Sequence, residues 1–299
     1  MSTGIASVAE VAEPAVGEVS GTRELLRRFA HHRLALVGSV VLVLLVIACF
    51  GAPWIAPAKQ GAQDLALGPT SPSWSHLLGT DQLGRDYLSE LLYAGRISLA
   101  IGFFVALVAT TVGTAVGAVA GYVGGVVGEA IMRLTDLFLI VPAIAILAVA
   151  LKGLGSSPVT IVLVLSGISW TYIARVVRSQ VLSLSEKEFI EAARVIGAST
   201  PRILVRHMLP NLAGIIAVNI SLATASAIII ESTLSFLGFG VQPPRTSWGN
   251  MLSQASGLVG TPQVYLLYFP GLFILVTVLC VNFIGDGLRD ALDPQGRQL

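Results

Sequence analysis

Three features of this sequence bear on chemistry: one acid inside an apolar run, a hinged charged module, and an almost complete lack of lysine. Glu231 sits in ASAIIIESTLS, the one acid placed well inside a hydrophobic run. A carboxyl group there faces a bundle interior or a wet cavity. It can line or gate a path and meet an amino group, or it can anchor a neighbouring helix by hydrogen bonds. The stretch EAARVIGASTPRILVRHMLPN, Glu191 to Asn211, is charged, glycine-hinged and proline-bounded, and it lies between two strongly apolar segments. A loop that only reconnects two helices needs a handful of polar residues, so this one reads as a surface to be touched. Arg133 and Asp136, three apart, suit an intrahelical pair.

Several chemistries are excluded. A phosphate-binding loop needs Gly-Lys-Ser/Thr, yet the lysines are Lys59, Lys152 and Lys187, and none follows a glycine. No G-x-S-x-G or H-E-x-x-H occurs, so no catalytic residue and no metal ligand is assigned. Cys49 and Cys280 both lie in apolar runs, which leaves no disulfide framework. Asp81 and Asp86 faintly outline a calcium loop, but Leu83 and Arg85 stand where oxygen ligands are needed. Energy for any work must therefore come from another chain.

The elements that position these residues are membrane helices. Only 12% of the 299 residues are charged and 54% are hydrophobic, and the charged share is about half that of a soluble globular domain. The net charge of +1 argues against nucleic acid as a partner. Runs long enough to cross a bilayer, which takes ~20 residues, appear at Leu34 to Ile55, Ile97 to Val123, Ile131 to Leu151, Pro158 to Ile173, Leu212 to Leu237 and Tyr265 to Ile284. The first is too long for the core of a cleavable signal and reads as a retained span. The sequence thus implies an all-α integral membrane protein with six spans. Residues 1–22 form a polar, disordered tail, residues 23–96 the first span and an outer segment, and residues 97–299 the main transmembrane domain.

Six spans put both termini on one side. With the termini inside, 13 of the 18 basic residues fall on the cytoplasmic side, and only Lys59, Arg85, Arg96, Lys152 and Arg245 lie outside. That bias places Glu191 to Asn211 in the cytosol. Ser157-Pro158 and Thr261-Pro262 read as capped starts of the fourth and sixth spans. Trp170 and Tyr172 suit an interfacial belt at the inner end of the fourth span, and Tyr265 and Tyr268 one at the outer end of the sixth. Gly113, Gly117, Gly121 and Gly125 recur every four residues, a flat stripe for close packing within or between subunits. Tyr87, Leu88, Leu91 and Leu92 read as an outer elbow dipping into the interface. Gly238, Gly240, Pro243 and Pro244 break the fifth span, and Trp248 could anchor a short re-entrant helix.

In the cytosolic module Phe189, Ala192, Ala193 and Ile196 share one helical face, and Glu188, Glu191 and Arg194 another. Gly197 suits the left-handed stop of a first helix. Thr200-Pro201 restarts a second with Thr200 as cap, and Pro210 limits its far end. Two short helices with a sharp elbow are expected, over residues 186–211.

This pattern resembles a known signature. E-A-A, three residues, Gly, nine residues, then x-x-Leu-Pro marks the membrane subunits of bacterial ATP-binding-cassette importers, and it is matched at Glu191, Ala192, Ala193, Gly197, Leu209 and Pro210. His207 stands where the general form has isoleucine, a variation familiar from the peptide-importer branch. HLLGTDQLGRDYLSELLYAGRISL and ESTLSFLGFGVQPPRTSWGNML are similar to stretches of the second permease of dipeptide, oligopeptide and nickel importers. The resemblance covers the chain from about Arg23 onward.

It implies a MetI-like, type I importer fold. It implies a coupling helix that docks on an ATPase through Glu191, Ala192, Ala193, Gly197, Arg202, His207, Leu209 and Pro210. It implies an outer loop that meets a binding protein at Gln242, Pro243, Arg245 and Trp248. The expected partners are a homologous second permease, two ATPase subunits or one fused pair, an extracytoplasmic binding protein, a peptide and the lipid bilayer. ATP and magnesium belong to the ATPases, and this chain would bind no cofactor. Nickel is the alternative cargo, and an ion-driven secondary transporter or a membrane enzyme the alternative class.

Overall fold

The computed structural model describes residues 27–292. The expected tail at residues 1–22, Arg23 and Arg297 lie outside the described residues.

Mean hydropathy and length decide the architecture. α1 runs over Arg33–Phe50, with the His32 side chain accepting from the Ala35 amide, and a single turn, Ala52–Ile55, follows. α2 is Tyr87–Val123, α3 Gly125–Ile140, α4 Ala143–Leu154 and α5 Pro158–Ser185. α6 is Glu188–Val195, α7 Thr200–Phe236, α8 Trp248–Ala255 and α9 Tyr265–Leu292. Among them α1, α2, α5, α7 and α9 are each long and apolar enough to cross a membrane, and α3 with α4 form a pair bent by 84°. The protein is therefore a helical multi-pass membrane protein with five continuous candidate spans, or six where the bent pair counts as one. Leu44, Val149 and Leu163 are more than half exposed, as lipid-facing side chains are.

The bend interrupts the third span expected over Ile131 to Leu151. Pro142 has no amide hydrogen, and its ring holds Val141 in an extended conformation (φ −86°, ψ 136°). The helix stops and restarts in a new direction. The fourth span is also longer than expected: Ser157 caps it as foreseen, accepting from the Thr160 amide, but the helix continues to Ser185. Trp170 and Tyr172 consequently lie in mid-helix, and Trp170 packs edge-on against Phe138, with ring centroids 6.1 Å apart. At the sixth span Thr261 organises a preceding turn through its hydroxyl, and the helix starts only at Tyr265.

Small residues order the helices side by side. Gly113, Gly117 and Gly121 of α2 meet the backbone of α5: an added Cβ would stand 2.7 Å from the Trp170 carbonyl, 2.4 Å from that of Ala174 and 2.9 Å from that of Arg178. The glycine row is thus an interface within this chain. Gly125 does not belong to it, because α2 ends at Val123 and Gly124 and Gly125 form the corner with φ of +61° and +52°. Gly128 of α3 makes a separate close approach, to the Ala120 carbonyl of α2. On its other side α2 packs on α7, where Gly102 meets Ile228; α7 packs on α9, where Gly285 meets Ser221; and α9 packs on α1, where Gly38 meets Cys280.

Candidate functional site

The elbow is α6 and the start of α7. Spacing alone placed Ala193 on an open face, but Ile190 and Ala193 are buried, packed with Ile203, Met208 and Leu212 against Val177 and Val181 of α5. Three-residue spacing puts Ile190 and Ala193 on one side of the helix. Phe189 and Ala192 remain exposed on the neighbouring face, with Val195 and Ile196 more than 80% exposed beyond them. An apolar ridge in this position is unpartnered among the described residues. Glu191 and Arg202 are exposed at its borders.

Gly197 stops α6 as expected, at φ +81°. The Ala198 amide donates to the Ala193 carbonyl and the Gly197 amide to that of Arg194, the paired bonds of a left-handed helix stop. Ser199, not Thr200, is the residue preceding the next helix, with Thr200 and Pro201 already in its first turn. The expected second short helix does not end at Pro210. A wide π-turn over Ile203–Met208 carries the helix into α7, with the Leu209 amide donating to the Leu204 carbonyl. The widened turn takes the proline ring, and Asn211 Nδ2 donates to the His207 carbonyl at 2.6 Å. From Thr200 onward the module is therefore the continuous foot of a span, with α6 set off from it by the Gly197 stop. Leu209 and Pro210 are exposed and His207 is half-buried.

A contact that the sequence did not disclose ties the elbow to α2. The Arg194 guanidinium lies 5.1 Å from the centroid of the Tyr122 ring, with Nε 3.3 Å from the Tyr122 hydroxyl. The two residues are 72 positions apart, beyond the reach of local spacing. The same holds for Asp136, whose Arg133 partner is 3.8 Å away but which also pairs with Arg175 of α5.

At the far end of α2 the stretch GTDQLGRD is a clamp. Asp81 Oδ1 accepts from the amides of Leu83 and Arg85, and its Oδ2 takes the Arg85 guanidinium at 2.6 Å. Asp86 caps α2 by accepting from the Ser89 amide, and His76 Nδ1 lies 2.9 Å from its other oxygen. Burial raises the Asp86 carboxyl, but its hydrogen bonds to His76 and Ser89 outweigh that and hold it below the ordinary value of 3.8. The Tyr265 hydroxyl lies 2.8 and 2.7 Å from the carbonyls of Thr70 and Thr80. The segment thus joins the starts of α2 and α9. It corrects the interfacial elbow expected at Tyr87 to Leu92: Tyr87, Leu91 and Leu92 are inside the protein core.

Their burial has a partner in Trp248. The Trp248 ring is fully enclosed, its indole N–H donates to the Leu91 carbonyl at 3.0 Å, and its backbone amide donates to Ser98 Oγ at 3.1 Å. Trp248 therefore belongs to the core and presents no surface to a partner. Gln242, Pro243 and Arg245 are exposed on the loop before it. Glu231 is completely buried. Ser247 donates to Ser235 at 3.2 Å and Ser235 to Glu231 Oε1 at 2.7 Å, while Glu231 Oε2 and the Ser232 hydroxyl have no hydrogen-bond partner among the described residues.

A family model described as the binding-protein-dependent transport system inner membrane component matches residues 113–298. This chain belongs to that family. A second model, the N-terminal transmembrane domain of oligopeptide transport permease C, matches residues 20–69. The oligopeptide transport system permease protein OppC of Escherichia coli strain K12 is 44% identical over 273 residues, spanning 91% of this chain and 90% of that protein. A putative peptide permease protein of Brucella suis is 40% identical over 269 residues, spanning 90% and 89%. A chain of the inward-facing MetNI methionine ABC transporter superposes with a TM-score of 0.57 at 16% identity, covering 68% of this chain and 96% of that one. That likeness shows a shared fold. The fold class and family read from the sequence are therefore correct, and the protein is a permease component of an importer.

Proposed function

We propose that this chain forms half of the membrane path of an ATP-driven importer for di- or oligopeptides, beside a homologous second permease. The reading rests on one observation: 44% identity to an oligopeptide permease sustained over 91% of the chain. Nickel as cargo finds no support among the relatives named above.

In this reading the elbow end lies in the cytosol with both termini, and the GTDQLGRD clamp lies outside. The exposed ridge of Phe189, Ala192 and Ile196, bordered by Glu191 and Arg202, docks on one of two ATPase subunits that hold ATP and magnesium. The Gly197 stop turns α6 back against α5, and the π-turn holding His207, with Leu209 and Pro210, runs the second half of the elbow directly into α7. ATP-driven closure then moves a span directly and rocks the path between two arrangements. Gln242, Pro243 and Arg245 meet an extracytoplasmic binding protein. The enclosure of Glu231 among Ser98, Ser235 and Ser247 supports a role in holding α8 to α7 over one in touching cargo. Residues 1–22 serve as a tail, 23–96 as the first span with its clamp, and 97–299 as the coupled domain.

The test is uptake of labelled peptide and of nickel by the complete importer in proteoliposomes with its binding protein. ATP-dependent peptide uptake is expected. Nickel uptake without peptide uptake would overturn the reading.

A further inference from the structure

A cleft of about 530 Å³ opens between α3 and α5, lined by Glu129, Arg133, Asp136, Arg175, Arg178 and Ser179 among others. Its size falls within the ~300–1,000 Å³ of pockets that take small organic ligands. The charges in it are not matched internally. Asp136 is shared by Arg133 and Arg175. No ion pair reaches Arg178 or Glu129 among the described residues, and the Nε of Arg178 is enclosed without a hydrogen-bond partner. A guanidinium without a counter-charge at the edge of a cleft favours an anion there.

Position sharpens the point. At ~1.5 Å per residue, Arg175 and Arg178 lie roughly 26 and 30 Å along α5 from Pro158, near the far edge of a ~30 Å hydrocarbon layer. A lipid phosphate could satisfy a guanidinium at that depth. But Glu129 and Asp136 share the cleft and repel a second anion held only by its charge. An unpaired cation and an unpaired carboxylate in one cleft fit a ligand that carries both signs.

We propose that this cleft binds the charged ends of a zwitterionic peptide, with Arg178 taking the carboxylate and Glu129 the ammonium group. The proposal rests on the peptide-importer reading and names where the cargo touches this chain. Arg175 serves as a positioning residue, holding Asp136 away from Arg178.

The test uses the complete importer in proteoliposomes and one short peptide in three forms: free, amidated at its carboxyl end, and acetylated at its amino end. Arg178→Gln should lower uptake of the free peptide roughly tenfold relative to the amide, the worth of one charge-assisted bond, and Arg178→Lys should restore part of the difference. Glu129→Gln should do the same for the free form against the acetylated one. Because the binding protein is unchanged, a shift in these ratios reports on the permease. An equal fall for all three forms, or no change, would overturn the cleft while leaving peptide import intact. A loss seen only in liposomes rich in phosphatidylglycerol would assign Arg178 to a lipid phosphate and overturn it too. If the wild-type importer moves no peptide in any form, the functional reading itself fails and the cleft proposal goes with it.

Discussion

A Cβ placed on Gly117 of α2 would stand 2.4 Å from the carbonyl oxygen of Ala174 in α5. The oxygen is backbone, so neither side can yield without moving a helix. Gly117→Ala should therefore separate α2 from α5 at a cost of about 1–3 kcal/mol, as overpacking does elsewhere. Gly167→Ala, on α5 with nothing within 4 Å, is the matched control. Thermal unfolding of the purified complex should fall for the first variant and hold for the second.

Trp248 and Leu91 make the second such joint. Trp248→Phe keeps an aromatic ring but removes the indole donor to the Leu91 carbonyl, at about 1–3 kcal/mol for the lost bond and the space left. Scanning fluorimetry should show a lower melting temperature. A binding-protein contact is not expected to change, because the ring has no exposed surface.

The clamp carries a pH dependence. Asp86 is held below its ordinary value of 3.8, so its contribution is fully present above that pH and is lost as the pH falls through the lower folded value. Pepsin should begin to cut residues 57–79 only as the pH drops below that range. Asp86→Asn should make the same segment sensitive at milder pH and flatten the profile.

The Arg194–Tyr122 contact predicts a coupling defect. Tyr122→Leu and Arg194→Gln should each lower peptide uptake per ATP hydrolysed by several-fold, the expected consequence of losing a contact worth ~1 kcal/mol, with the protein still inserted. Paired measurement of uptake and ATP turnover checks this.

Much of this fold is legible in one sequence because lipid imposes a single rule on every span. Apolar length found all the crossings, and Gly197 marked its own left-handed stop. Proline was read less well. Pro142 was passed over inside an apolar run and breaks a span, whereas Pro210 was read as a stop and is absorbed by a π-turn. Local spacing cannot weigh the tertiary contacts that decide between those outcomes. It also cannot tell which apolar face meets protein: Ala193, Leu91 and Trp248 were read as surface and are core. The unions of Arg194 with Tyr122 and of Arg175 with Asp136 left no local trace, since each joins residues far apart in the chain.

The role proposed for the exposed ridge of α6 is docking on an ATPase. Photo-crosslinkers at Ala192 and Ile196, which are exposed, and at Ile190, which is buried, test it within the assembled importer. The account predicts adducts with the ATPase subunit from the first two positions and none from the third. Adducts with the extracytoplasmic binding protein from Ala192 or Ile196, or labelling of those positions by an impermeant reagent from outside the cell, would contradict it.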